Sequence, residues 1–105
     1  MKIYLSGSRL GDWEMVRRIH EDYEELARGL HPDAQLVNPL NDTSRLGLRL
    51  KTHKRNDNKS RYAREALRAL MECEAVAFVP GYFKCGMARL EHWLAHELEF
   101  EIFYL

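Results

Sequence analysis

The chain has 105 residues and a mass of 12.4 kDa, enough for one domain (residues 1–105) with a real core and too little for two. Sixteen basic residues balance sixteen acidic ones, so no global field favours a nucleic-acid polymer or an anionic membrane surface. At 46% hydrophobic and 30% charged it is globular in composition. No stretch is long enough to cross a bilayer, and the first apolar run is too short for a signal peptide. The expectation is a soluble, cytoplasmic protein. Cys73 and Cys85 make neither a disulfide framework nor a zinc spacing.

In chain order, Ile3, Tyr4 and Leu5 form a brief β-prone run, and Ser6-Gly7-Ser8-Arg9-Leu10-Gly11 turns away from it. Asp12 is the N-cap of a following helix. Met15 stands at the third helical position, so there is no full capping box. Trp13, Val16, Ile19, Tyr23, Leu26 and Leu30 recur at helical spacing, which makes them the expected core stripe. The helix ends between Gly29 and Pro32, because His31 precedes a proline. Gln35, Leu36 and Val37 read as a second short strand, closed by Asn38-Pro39.

Residues 40–59 show no sustained period, and a loop of that length in a small domain is functional or mobile. From Arg45 to Arg64 lysine and arginine recur with Asp57 alone opposing them, a local basic patch that suits an anionic ligand or simply a solvated loop. Helical spacing returns at Tyr62, Ala63, Ala66, Leu67, Leu70 and Cys73. Residues 75–79 are an apolar run of strand length, broken by Pro80-Gly81. A helix follows Gly86 with Met87, Leu90, Leu94, Ala95 and Leu98 on one stripe, and residues 100–105 resemble a last strand.

The order is β-α-β-loop-α-β-α-β. It predicts an α/β fold: a single three-layer αβα domain with a parallel sheet of four or five strands, Rossmann- or flavodoxin-like. In such sheets ligands bind beyond the carboxyl ends of the strands, where strand order reverses. The loops leaving those ends gather Gly7, Ser8, Arg9, Asn38, Cys85 and Glu91 around one crevice, and the last of them opens a helix whose N-terminus favours an anion. Glu91 sits within the final helix's apolar stripe. The pattern alone favours a side chain at the stripe's edge reaching water, since an inward carboxylate is costly unless paired or used.

Four stretches, in this order and spacing, carry a resemblance. They are M-K-I-Y-L-S-G-S-R at 1–9, V-N-P at 37–39, R-Y-A-R-E-A-L-R-A-L-M-E-C-E-A-V at 61–76 and P-G-Y-F-K-C-G-M-A-R-L-E at 80–91. Together they resemble the nucleoside 2-deoxyribosyltransferase-like superfamily, particularly a small uncharacterised branch and the nucleoside 5'-monophosphate N-glycosidases. The resemblance implies cleavage of an N-glycosidic bond in a nucleoside or its 5'-monophosphate. Glu91 matches the glutamate that attacks C1' as the base leaves, a carboxylate nucleophile facing a cationic sugar. It also implies that a 5'-phosphate sits on the Gly7-Ser8-Arg9 loop and at Cys85 and Gly86, where the family has a serine six residues before the glutamate.

The chain departs from that pattern in three places. Ala66 stands where many members carry a helix aspartate that assists the leaving base, Met87 replaces a glycine, and Cys85 donates a weaker hydrogen bond than serine. The general acid is then Asp12 or a loop residue, and loss of such a partner lowers rates by ~10²–10⁴-fold. The alternative is a catalytically inactive nucleotide-binding or sensor relative. Tyr82 and Phe83 are candidates to stack on a base, although aromatics beside a Pro-Gly turn more often cover a core edge. His92 and His96 lie one turn apart without a third ligand at any standard spacing, so exposed helix histidines are expected, with no metal and no cofactor. Trp93 and the aromatic C-terminus are the expected contact of a homodimer.

Overall fold

The computed structural model describes residues 1–40 and 59–105; the loop expected from the sequence at 40–59 and most of the basic run lie outside the described residues. The described elements are β1 (Lys2–Ser6), α1 (Trp13–Leu30), β2 (Gln35–Val37), α2 (Lys59–Met71), β3 (Ala75–Phe78), a 3₁₀ turn (Tyr82–Lys84), α3 (Gly86–Glu97) and β4 (Glu101–Tyr104). All four strands are parallel, in the order β2-β1-β3-β4. The small α/β fold read from the alternation of elements is the one observed. Among the described residues the sheet has four strands, the lower end of the expected range.

Strand alternation divides the core in two. Tyr4, Val76 and Phe78 pack with Leu70 of α2 and Ala95 of α3 on one face. Ile3, Leu5, Ala75, Ala77 and Val79 take the other face, with Tyr23 of α1 against them. β1 and β3 are buried on both sides, which is why they read as unbroken apolar runs. Between them strand order reverses: the chain leaves β1 for β2 on one side and returns to β3 on the other. Val79 extends the pairing past β3 by donating its N–H to Ser6 O at 2.8 Å. The loops after β1 and β3 therefore emerge side by side.

Two helix stripes differ from the sequence reading. On α1 the buried residues are Val16, His20 and Ala27, while Ile19, Leu26 and Leu30 are exposed. On α3 they are Ala88, Glu91 and Ala95, with Leu90 and Leu98 outward. In both helices small or polar side chains take buried positions on the sheet, while several of the larger apolar ones, Ile19, Leu26 and Leu30 on α1 and Leu90 and Leu98 on α3, face solvent. A hydrophobicity period assigns the stripe to the largest residues. Close packing on a short sheet selects those that fit instead. The reading of Glu91 as a solvent-reaching edge residue is thereby overturned, for it is 0% exposed.

Asp12 caps α1 as expected, accepting the Met15 N–H at 3.3 Å. At the other end of the chain α3 turns into β4 through Glu99, whose φ of 59° lies in the left-handed region. Phe100 N–H closes that turn on Ala95 O at 2.9 Å. A side chain there is strained where glycine is not. Glu99→Gly is expected to raise unfolding free energy by ~0.5–1 kcal/mol in a urea titration, with unchanged far-UV circular dichroism.

Candidate functional site

Glu91 projects from the middle of α3 toward the end of β1 and accepts four hydrogen bonds. Tyr4 donates its hydroxyl to Oε2 at 2.5 Å, and Ser6 donates Oγ–H to Oε1 at 2.7 Å. Arg9 approaches in a fork, Nη1 to Oε1 at 2.7 Å and Nη2 to Oε2 at 3.2 Å. The same guanidinium also donates to the Tyr4 hydroxyl at 3.1 Å and to Gly7 O at 3.2 Å. The carboxylate has about four lone-pair positions, and the four donors account for them.

The local sequence explains this convergence. Tyr4 and Ser6 are two apart on β1, so both point to the α3 face, while Ile3 and Leu5 point to α1. Arg9 lies three residues beyond Ser6, in the loop that turns back over the sheet edge. Its side chain remains 10% exposed and lies over a carboxylate that is 0% exposed. Bidentate geometry and two further donors are what make a buried ion pair tolerable, since desolvating each charge costs several kcal/mol.

Behind the same loop lies His20 of α1, 1% exposed. Its Nδ1 bonds Val16 O at 2.9 Å, so Nδ1 carries the proton and Nε2 presents a lone pair that has no partner among the described residues. A Cβ added to Gly7 would come within 3.0 Å of that Nε2 and 2.9 Å of Val79 Cβ. Gly7 is thus required for closeness: the loop crosses between His20 and the end of β3 where no side chain fits. Burial holds His20 down to about 4, with Arg9 nearby lowering it and the Val16 bond and Glu91 opposing.

The other expected site residues divide into two groups. Gly7, Arg9 and Glu91 are brought together, with Ser8 adjoining them and its Oγ accepting the Leu10 N–H at 3.3 Å. Cys85 precedes α3 and is buried. It makes no side-chain capping bond, so among the described residues no side chain caps the first amides of α3 beside Gly86. Asp12 is committed to its cap, and Asn38 spans Glu24 at 3.0 Å and the Leu40 N–H at 2.9 Å. Tyr82 belongs to an aromatic cluster with Phe78, His92 and Tyr104. There partial burial and the neighbouring His96 hold His92 below the usual histidine value. Ala66 is buried against Ala69 and Met87, an apolar contact that leaves no acid at that position.

Sequence reasoning missed Tyr4, Ser6 and His20. The signal for the first two was present: a polar residue two positions after a tyrosine at the end of a strand shares its face. His20 was detectable only through its four-residue spacing from Val16, which the larger Ile19 obscured.

Two measurements test these contacts. Arg9→Ala strands the buried carboxylate and is expected to lower stability by roughly 3–5 kcal/mol in urea. In a Glu91→Leu background the same substitution is expected to cost far less, which a double-mutant cycle resolves. For His20 the folded value lies below the unfolded value of 6.5. The neutral ring therefore contributes stability above pH 6.5 that is lost as pH falls toward 4, on the order of 3 kcal/mol when complete. Unfolding titrations over that window are expected to show this loss in the wild type and a shallower slope in His20→Gln. No protein-family model, curated protein or solved structure matches the chain.

Proposed function

We propose that the protein acts on the N-glycosidic bond of a nucleoside or nucleoside 5'-monophosphate, with Glu91 as the nucleophile toward C1'. The observation that carries this reading is a fully buried carboxylate at the carboxyl edge of a parallel sheet, on the helix that follows β3. It lies beside the point where strand order reverses, and the sequence resemblance supports this choice of reaction. The order of events is that of a retaining glycosidase: Glu91 attacks the anomeric carbon as the base departs, and water or a second base then releases the glycosyl group.

In the resting arrangement all four acceptor positions of Glu91 are occupied. Attack requires one of them to be freed. Tyr4 and Ser6 are fixed on β1, whereas Arg9 sits on a loop, so Arg9 is the donor that moves. A 5'-phosphate is a stronger bidentate partner for a guanidinium than an already shared carboxylate, and the uncapped amides at the start of α3 supply further donors. On this reading phosphate binding and exposure of the nucleophile are one event.

A second reading is supported by two observations: the saturated carboxylate and the buried Ala66 contact with Met87. On that reading the chain binds a nucleotide without turnover. Incubation with a panel of nucleosides and 5'-monophosphates, followed by chromatography for free base, distinguishes the two. Base release by wild type, abolished in a Glu91→Gln variant whose circular dichroism is intact, is the expected outcome. Equal release by the variant overturns Glu91 as nucleophile. Calorimetric binding without any base release selects the second reading.

A further inference from the structure

We propose that His92, His96 and Tyr104 form a binding site for a divalent late transition-metal ion, copper(II) binding most tightly and zinc less so. The site is separate from Glu91 and independent of the function proposed above. His92 Nε2 is the hub. It lies 3.2 Å from His96 Nε2, 2.8 Å from Tyr104 Oη and 3.4 Å from Tyr82 Oη. A ring nitrogen has either one N–H or one lone pair, so it satisfies one of these neighbours and not all of them. Hydrogen bonding alone leaves the cluster oversubscribed at a single atom.

One cation removes that conflict. Metal–nitrogen bonds of about 2.0–2.1 Å and nitrogens 3.2 Å apart subtend an angle of about 100° at the ion. A metal–oxygen bond of about 2.0–2.2 Å with the 2.8 Å separation gives an angle of about 81–89°, the Tyr104 hydroxyl proton passing to solvent as the bond forms. Both are cis angles of the tetragonal and tetrahedral geometries that nitrogen and oxygen ligands offer to copper(II) and zinc. The two imidazoles are already placed for it, one helical turn apart with ring centroids 4.5 Å apart. The third donor comes from β4, which pairs with β3 so that Phe78 stands opposite Tyr104.

Among the described residues no group of three His, Cys, Asp or Glu side chains is placed to hold a metal. The site depends on the phenol oxygen, outside that set. His96 and Tyr104 are exposed, and His92 lines an open groove of about 640 Å³ with Tyr82, Phe83, Arg89, Leu90 and Trp93. The remaining coordination positions therefore face solvent, as in a site that exchanges its ion or presents it to a ligand. Imidazole nitrogen with a single oxygen suits the later first-row ions, and affinity among them peaks at copper(II).

The test is calorimetric titration of the whole chain with copper(II) chloride and with zinc chloride, and electron paramagnetic resonance of the copper complex. One ion per chain is expected, with copper tighter than zinc and two-nitrogen coupling in the copper spectrum. His96→Gln, at an exposed position that leaves folding intact, is expected to weaken binding by roughly tenfold or more and to reduce the coupling to one nitrogen. Tyr104→Phe is expected to weaken it measurably, and His31→Gln to leave it unchanged. Wild-type affinity in His96→Gln or Tyr104→Phe overturns the site, as does the absence of saturable copper binding below about 1 mM.

Discussion

The arrangement at the carboxyl edge of the sheet depends on one buried ion pair. Glu91 is the only charged side chain among the fully buried described residues, and it is compensated by donors from β1 and from the loop after it. Remove the guanidinium and a helix carries an uncompensated charge into the core. Remove the carboxylate and Tyr4, Ser6 and Arg9 lose the acceptor they share. Such pairs add little net stability compared with apolar packing, but they are costly to break. What this one adds is register: α3 meets β1 in the single alignment that brings four donors to two oxygens.

The constraint propagates to both faces of the sheet. Ser6 points toward α3, so the next residue, Gly7, points toward α1, where it meets His20 and Val79. The loop is held on one side by a carboxylate and on the other by a buried imidazole, with a glycine at the crossing. Arg9, two positions after Gly7, closes over Glu91. A short loop that crosses the strand-order switch point thus links α1, β3 and α3 within the four residues from Ser6 to Arg9. The cluster of Tyr82, His92, His96 and Tyr104 lies on α3's outer side and beside the edge strand, removed from that knot.

The same helix therefore carries two unlike chemistries. Ala88, Glu91 and Ala95 face inward, and two of the three are small enough to let α3 come close to the sheet. That closeness brings the Glu91 carboxylate to the level of β1. Leu90, Trp93, His96 and Leu98 face outward, an apolar and imidazole-bearing surface bordered by Phe83 and Tyr104. The apolar surface that a hydrophobicity period assigned to the core is partly this exposed face.

The sequence by itself determined the order of the described elements, the parallel α/β class and the carboxyl-edge position of Gly7, Arg9 and Glu91. Strands of two-sided burial, a capping aspartate and a Pro-Gly break are local signals, and local chemistry is sufficient to place them. Tertiary structure decided the rest. Whether Glu91 faced water or core depended on the rotation of α3 against the sheet, because side-chain volume at the contact outweighed the period of large residues. The partners of Glu91 come from residues more than eighty positions earlier. Tyr104 reaches His92 only because β4 pairs in parallel with β3. A two-histidine spacing on a helix is visible in the sequence; the oxygen that completes it comes from another element, placed by strand register.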